Sequence, residues 1–123
     1  MNHAARFYKS VGFAFRGLSR AWHNEPNFRW EAAAAVVAVA AGIWLNVSAE
    51  GLALLILCST LVISLELVNT MIELMSDMLK PRLDNYIKNI KDLTAAAVVI
   101  AALGSIGVAI CILIPRIIDL LWQ

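Results

Sequence analysis

Residues 93–114 form a run of 22 residues without a charged side chain. A helix of about 20 apolar residues crosses the hydrocarbon core of a bilayer, so this run restricts the chain to membrane-embedded folds. The composition agrees, because 61% of the 123 residues are hydrophobic and only 15% are charged, against about 25% charged in ordinary soluble domains. We predict a single all-α integral membrane domain over residues 1–123, with one spanning helix over about 91–121.

A second apolar segment begins near residue 50 and runs toward Pro81. Residues 51–65 carry no charge, and the turn before them, 46–50, is rich in residue types that cap helices. Proline lacks the amide hydrogen that a helix interior requires, so Pro81 marks the end of the pattern. We therefore predict a second spanning helix over 50–79.

A shorter apolar segment lies upstream of these two. Residues 32–45 number only 14, fewer than the roughly 20 that a span requires. Trp30 and Trp44 flank the segment, and tryptophan is typical of the boundary between membrane and water. If the charged residues Arg29 and Glu31 lie at that boundary, the segment is long enough to cross the membrane. We therefore predict a spanning helix over 28–47.

The N-terminal segment has two opposite faces at helical spacing. Its apolar residues are Phe7, Val11, Phe15, Leu18 and Trp22, and its basic residues are Arg6, Lys9, Arg16 and Arg20. Such a helix lies in the membrane interface, with its basic face toward head groups or a phosphorylated ligand. A membrane anchor without further function would show the same pattern. We predict a surface helix over about 5–24, ended by Glu25-Pro26 because the residue before proline avoids helical geometry.

The basic residues are unevenly distributed along the chain. Five precede the first apolar segment, namely Arg6, Lys9, Arg16, Arg20 and Arg29, and four lie between the second and third, namely Lys80, Arg82, Lys88 and Lys91. Basic segments stay on the cytoplasmic side, so we predict that the N-terminus and the second loop are cytoplasmic, in a multi-pass protein of the inner membrane. The N-terminus shows no apolar core with a cleavage site, and we expect no signal peptide.

One stripe of polar residues interrupts the second apolar segment. At about 100° per residue, Glu66, Asn69, Glu73 and Asp77 fall within an arc of roughly 80° on one helix face. A charged residue at the centre of a spanning helix costs about 2.5 to 3.5 kcal/mol. The stripe is therefore a candidate functional site.

Further charged residues map to the same cytoplasmic boundary as the lower end of this stripe. They are Glu25, Lys91 and Asp92. Carboxylates beside a lysine at a water boundary can hold a magnesium ion together with a polyphosphate, because Mg²⁺ takes one or two carboxylates and completes its shell with phosphate oxygens and water. The chain has no Walker A motif and no glycine-rich phosphate loop, so phosphate chemistry would require an unusual site.

The spacing of these motifs resembles that of the small prokaryotic diacylglycerol kinase family, which includes the undecaprenol kinases. The motifs are Glu66, Asn69, Glu73 and Asp77 at fixed spacing, Lys91-Asp92 before an alanine-rich helix, and Asn24, Glu25, Phe28 and Arg29 upstream. The resemblance covers about residues 6–114. It implies an ATP-dependent lipid kinase that forms a homotrimer of three-helix subunits, each preceded by a surface helix, with active sites shared between subunits.

The resemblance also implies roles for individual residues. Glu66 corresponds to the general base for the lipid hydroxyl, and Glu25 and Glu73 correspond to ligands of Mg²⁺ held with ATP. Lys91, Asp92 and Arg6 correspond to nucleotide contacts, while Asn69 and Asp77 correspond to supporting polar residues. Diacylglycerol is the expected acceptor, with undecaprenol as the alternative, and no nucleic-acid partner is expected.

The chain departs from the family pattern at a few positions. Phe13 replaces a tyrosine common near the nucleotide, and Met71 replaces an alanine inside the motif; Asp84 and Asn89 differ in the second loop. Two other functions also fit a carboxylate stripe in a small membrane protein. One is a proton or cation path in an oligomeric channel, and the other is a structural subunit whose protonated carboxylates join helices.

Overall fold

The computed structural model describes residues 1–82 and 84–123, and this part of the chain consists of helices and short turns with no strand. Four helices follow one another: α1 (His3–Asn24), α2 (Pro26–Trp44), α3 (Ala49–Leu79) and α4 (Asp84–Leu121). The all-α prediction is confirmed. The longest helices, α3 and α4, pack against each other, and α2 packs mainly on α3.

The corner between α1 and α2 forms at the predicted dipeptide. Glu25 leaves helical geometry, with φ −117° and ψ 100°, and Pro26 begins α2. Proline suits this first position because its missing amide hydrogen would have no helical partner there. At the other end of α1, the side chain of Asn2 accepts a hydrogen bond from the amide of Ala5 at 2.9 Å and caps the helix.

A tight turn joins α2 to α3. The side chain of Ser48 caps α3 by accepting a hydrogen bond from the amide of Gly51 at 3.0 Å. Gly42 lets the two helices approach closely, since a Cβ atom there would lie 2.8 Å from Cδ1 of Leu55. Arg116, near the end of α4, donates from Nε to the carbonyl of Leu45 at 3.0 Å. The end of α2 is therefore tied to both neighbouring helices.

The start of α4 differs from the prediction. The sequence predicts a helix over about 91–121 after a polar second loop, but α4 already begins at Asp84. An acidic residue in the first turn interacts favourably with the positive end of the helix dipole, and Lys88 follows at the spacing that favours a pair of opposite charges. Ile87 is 2% exposed. The burial of Ile87 stabilises the start of α4 by packing. The polar and charged residues around it hide this contribution in the sequence.

Two helices, α3 with 31 residues and α4 with 38, are long and apolar enough to cross a membrane. Their buried residues include Leu55, Val62 and Val98, and the two helices are in extensive contact with each other. The hydroxyl of Ser105 donates to the carbonyl of Cys58 at 3.4 Å across the same contact. Most other large apolar side chains of the chain are exposed, as expected for a surface that faces lipid or further subunits.

Candidate functional site

Glu66 lies on the inward face of α3. Its side chain is 4% exposed, and it shares that face with Leu55 and Val62, which are also buried. These positions are seven and four residues apart, so they stand above one another along the helix. Among the described residues, Glu66 is the only buried acidic one. The polar stripe of α3 therefore faces the interior of the helix bundle at this level, and not its outer surface.

Glu31 of α2 faces Glu66. The two carboxyl groups come close enough to form a hydrogen bond when one of them is protonated. One carboxyl oxygen of Glu31, Oε2, is buried and has no hydrogen-bond partner within residues 1–82 and 84–123. An unpaired buried oxygen is costly unless a ligand, an ion or another protein group meets it. Glu31 is thus part of the site.

Sequence reasoning did not assign a functional role to Glu31. A signal was present, because Phe28, Ala35 and Gly42 recur every seven residues and mark the inward face of α2, and Glu31 lies one turn after the first of them. Phe28 and Gly42 are indeed buried. The same periodicity that places apolar residues inward places this carboxyl group inward too.

Two further carboxylates lie near enough to Glu66 for their charges to act on it. They belong to Glu25, at the corner between α1 and α2, and Glu73, two turns further along α3. The amide nitrogen of Asn69 donates to Oε1 of Glu73 at 3.4 Å. The side chain of Glu25 makes no capping bond at the start of α2, so its oxygens stay available. The chain therefore brings acidic groups from three helical turns and one corner together.

Lys91 and Asp77 form an ion pair at the end of this cluster that lies nearest the turn between α3 and α4. Nζ of Lys91 lies 3.3 Å from Oδ1 of Asp77, and the two side chains are 29% and 64% exposed. An exposed pair of this kind contributes little stability, about 0 to 1 kcal/mol. Its larger effect is to position the lysine, because it holds the Lys91 ammonium against α3. The N–H groups of the ammonium that do not point to Asp77 can donate to another ligand. Asp92 is exposed beside it.

Arg6 is not brought to the carboxylates of its own chain. It lies 19 residues before Glu25, which corresponds to about 28 Å along a helix. The structure describes all of α1, and Ala21, near the C-terminal end, is its single buried residue. Because α1 contacts mainly α2 and does not pack along the bundle, Arg6 lies away from Glu66 of the same chain.

An apolar groove of about 440 Å³ opens between α2, α3 and α4. Trp30 and Glu31 lie among its lining residues, and Val62 lines it one turn before Glu66. Its other lining residues are small or aliphatic: Ala34, Ala35, Ala38, Leu55, Cys58, Ser59, Ala102, Ser105, Ile106 and Ala109. The groove could hold an extended hydrocarbon chain whose polar end meets the paired carboxyl groups.

The carboxylates fit a magnesium ion bound jointly with a phosphate ligand. No group of three or more potential metal ligands converges within the described parts of the chain, so a cage made of protein alone is not present there. Mg²⁺ instead binds through one or two carboxylates, phosphate oxygens and several waters. Glu25 has uncommitted oxygens, and Glu73 keeps one oxygen beyond its bond to Asn69. These two residues could hold the ion once a polyphosphate is present.

Comparison with known proteins gives two kinds of match. The model of the prokaryotic diacylglycerol kinase family matches residues 12–113. The chain is 36% identical over 109 residues to a diacylglycerol kinase of Escherichia coli strain K12, covering 89% of this chain and 88% of that protein. It is 32% identical over 116 residues to an undecaprenol kinase of Bacillus subtilis strain 168, covering 94% of each. Both matches include α2, α3 and most of α4.

Proposed function

Since the chain belongs to the prokaryotic diacylglycerol kinase family and is a lipid kinase, we propose that it transfers the γ-phosphoryl group of ATP to the hydroxyl of diacylglycerol. The product is phosphatidic acid. Undecaprenol, which carries the same kind of primary hydroxyl on an apolar chain, is the alternative acceptor, because the chain is similar to kinases named for each lipid.

The observation that carries this proposal is the position of Glu66. A carboxylate that is 4% exposed lies one turn from an apolar groove and beside a second inward carboxyl group. A lipid kinase requires a base for the acceptor hydroxyl. That base must be shielded from water, because water could otherwise replace the lipid alcohol as acceptor. A lipid whose apolar chain occupies the groove would bring its hydroxyl close to this carboxylate.

In the proposed reaction, Glu66 accepts the proton of the lipid hydroxyl. The hydroxyl oxygen forms a bond to the γ-phosphorus of ATP while the bond from that phosphorus to the bridging oxygen breaks, and ADP leaves with the electron pair. In its protonated form, Glu31 would donate a hydrogen bond to the Glu66 carboxylate and orient it. The chain forms no covalent bond to the phosphoryl group, because this transfer depends mainly on positioning and on charge neutralisation.

On the nucleotide side, Glu25 and Glu73 are the proposed ligands of Mg²⁺. The ion supplies positive charge that neutralises the phosphate oxygens of ATP. Asn69 fixes the orientation of the Glu73 carboxylate through its amide. Asp77 holds Lys91 at the edge of the cluster, where the ammonium can donate to phosphate.

The remaining nucleotide contacts in the proposal are Asp92 and Arg6. Asp92 is exposed next to Lys91 and can accept hydrogen bonds from a nucleoside. Arg6 would reach the site of a neighbouring subunit, because it stands about 28 Å along α1 from Glu25 of its own chain.

The proposed function is tested with purified protein in mixed micelles that contain ATP, Mg²⁺ and one lipid alcohol. We expect ATP consumption to rise with added diacylglycerol and phosphatidic acid to form in equal amount. Offering diacylglycerol and undecaprenol together should give mainly phosphatidic acid. A rate of ATP consumption that does not change when either lipid is added would refute the proposal and favour a channel or a structural subunit. A preference for undecaprenol would change only the acceptor.

A second prediction concerns the metal. Replacing Glu25 or Glu73 with Ala should raise the Mg²⁺ concentration needed for half-maximal rate by about tenfold or more, since each change removes a hard oxygen ligand. Raising Mg²⁺ should then recover part of the rate. Asp119→Ala, an acidic residue at the far end of α4, is the matched control and should leave the Mg²⁺ dependence unaltered. Unchanged dependence in both Glu variants would assign these carboxylates a structural role.

The proposed membrane arrangement has three spans. α2, with 19 residues, is about 28 Å long, close to the roughly 30 Å hydrocarbon thickness, and it packs on α3. These features support α2 as the third span, although charged residues at its start lower its hydropathy. α1 would lie in the cytoplasmic interface of the inner membrane, with the second loop on the same side, as the distribution of basic residues indicates.

The proposed homotrimer is supported by an unpartnered face of α3, here called the α3 seam. The seam residues alternate at spacings of three and four and are exposed: Leu54, Leu57, Leu61, Ser64, Val68, Met71, Met75 and Met78. This heptad spacing is typical of helices that pack side by side. The last three lie about 33 Å or more from the start of α3, near or beyond the edge of the hydrocarbon, where a second copy of the chain would cover them better than lipid.

A further inference from the structure

The C-terminal end of α1 needs hydrogen-bond partners from outside the helix. The last four carbonyl groups of any helix have no partner within it. In α1 the carbonyl of Ala21 accepts the amide of Glu25 at 2.9 Å. The carbonyls of Trp22 and His23 come next, and backbone amides of their own helix cannot reach them.

Arg29 supplies those partners from the first turn of α2. Its Nη1 donates to the carbonyl of Trp22 at 2.6 Å and approaches that of His23 at 3.3 Å. A guanidinium suits this position, because its planar N–H groups can serve two acceptors and its positive charge lies at the negative end of the helix dipole. One half-buried side chain thus closes the corner between α1 and α2.

Little else fixes α1 to the rest of the subunit. Ala21, one turn before Glu25, is its one buried residue, and Phe28 in the first turn of α2 is also buried. Glu25 lies inside this corner in extended geometry, and it takes part in two backbone bonds: its amide donates to Ala21 and its carbonyl accepts from Arg29 at 3.4 Å. The direction of the Glu25 carboxylate therefore depends on the closed corner.

We propose that Arg29 is a positioning residue that locks the corner between α1 and α2 and so fixes Glu25 relative to Glu66. The inference rests on the proposed function, since Glu25 acts there as a ligand of the magnesium–ATP complex. In this proposal Arg29 acts through its bonds to the carbonyls of Trp22 and His23, and not by binding substrate or metal. Loss of the lock frees α1 to move about the corner and spreads the Glu25 carboxylate over positions that do not bind the ion.

The test compares Arg29→Ala with Arg116→Ala. Both arginines donate to a backbone carbonyl at an end of α2, but Arg116 serves the opposite end, at Leu45. Hydrogen exchange of the full-length protein in micelles is measured at the amides of residues 21–28, together with kcat and the apparent KM for magnesium–ATP. Arg29→Lys is added because it keeps the charge and loses the planar fork.

We expect Arg29→Ala to speed exchange at residues 21–28 by about tenfold or more, the loss expected for one charged hydrogen bond. The apparent KM for magnesium–ATP should rise by a similar factor with a smaller change in kcat, and Arg29→Lys should lie between. Arg116→Ala should loosen the turn at 45–48 and leave both measurements at the first corner unchanged.

The outcomes separate this inference from the proposed function. Unchanged exchange at residues 21–28 in Arg29→Ala would overturn the lock, whatever the activity. Faster exchange with an unchanged KM would overturn the positioning role. If the wild-type protein phosphorylates no lipid, the proposed function fails, and the exchange measurement still decides whether Arg29 closes the corner.

Discussion

Replacing Glu66 with Gln is expected to reduce lipid phosphorylation by at least about a hundredfold, the usual contribution of a general base. The amide has the size of the carboxyl group but cannot accept the proton of the lipid hydroxyl. Because the side chain is almost fully buried, no water-exposed group can readily replace it. The rate of phosphatidic acid formation measures the effect, and ATP binding to the purified variant shows whether the nucleotide side is intact.

Two comparisons make this result specific. Glu50→Gln, in the first turn of α3 and 16 residues away on the same helix, changes the same chemical group at the opposite end and should retain the wild-type rate. Glu31→Gln keeps a hydrogen bond to Glu66 and is expected to slow the reaction less than the loss of the base itself. Turnover of Glu66→Gln within tenfold of wild type would show that another group removes the proton.

The helical architecture could be predicted from the sequence because it depends on local patterns. Apolar runs, the proline at residue 26 and the capping serine at residue 48 act within one or two turns, and the helices begin and end near them. The start of α4 could not be predicted in this way. Its first turn is polar, and the packing of Ile87 that accompanies it is a tertiary contact.

The candidate site likewise has one part that the sequence predicts and another part that it does not. The inward position of Glu66 follows from the single arc that holds the polar stripe of α3. The facing carboxyl group of Glu31 depends on how α2 and α3 are aligned along their lengths, which Gly42 permits by allowing a close approach to Leu55. No pattern within one helix specifies that alignment.

Contacts within one chain limit which residues of the site a neighbouring subunit would supply. The resemblance implies active sites shared between subunits, and Lys91, Asp92 and Glu25 are candidates for the residues that a neighbour supplies. The ion pair of Lys91 with Asp77, however, joins residues of one chain, and the charge of Glu25 acts on Glu66 of the same chain. Arg6 is the site residue that its own chain leaves far from the carboxylates. A shared site should therefore combine Arg6 of one subunit with Glu66 of another.

Mixing two impaired variants tests this arrangement. Arg6→Ala and Glu66→Gln should each lose most activity alone. When subunits exchange at random in a cyclic oligomer, about a quarter of the sites combine an intact Glu66 from one subunit with an intact Arg6 from its neighbour. We therefore expect a 1:1 mixture to recover about a quarter of the wild-type rate, measured as phosphatidic acid formation after exchange in detergent.

Mixing Glu66→Gln with Lys91→Ala is the matched control. If Glu66 and Lys91 serve a site from the same chain, every site in this mixture lacks one of them, and activity should stay at the level of the separate variants. Labelled subunits establish that exchange has occurred in both mixtures. Recovery with Lys91→Ala but not with Arg6→Ala would mean that α4 is contributed by the neighbour and α1 by the same chain, because only that arrangement reunites an intact Lys91 with an intact Glu66 across a subunit boundary.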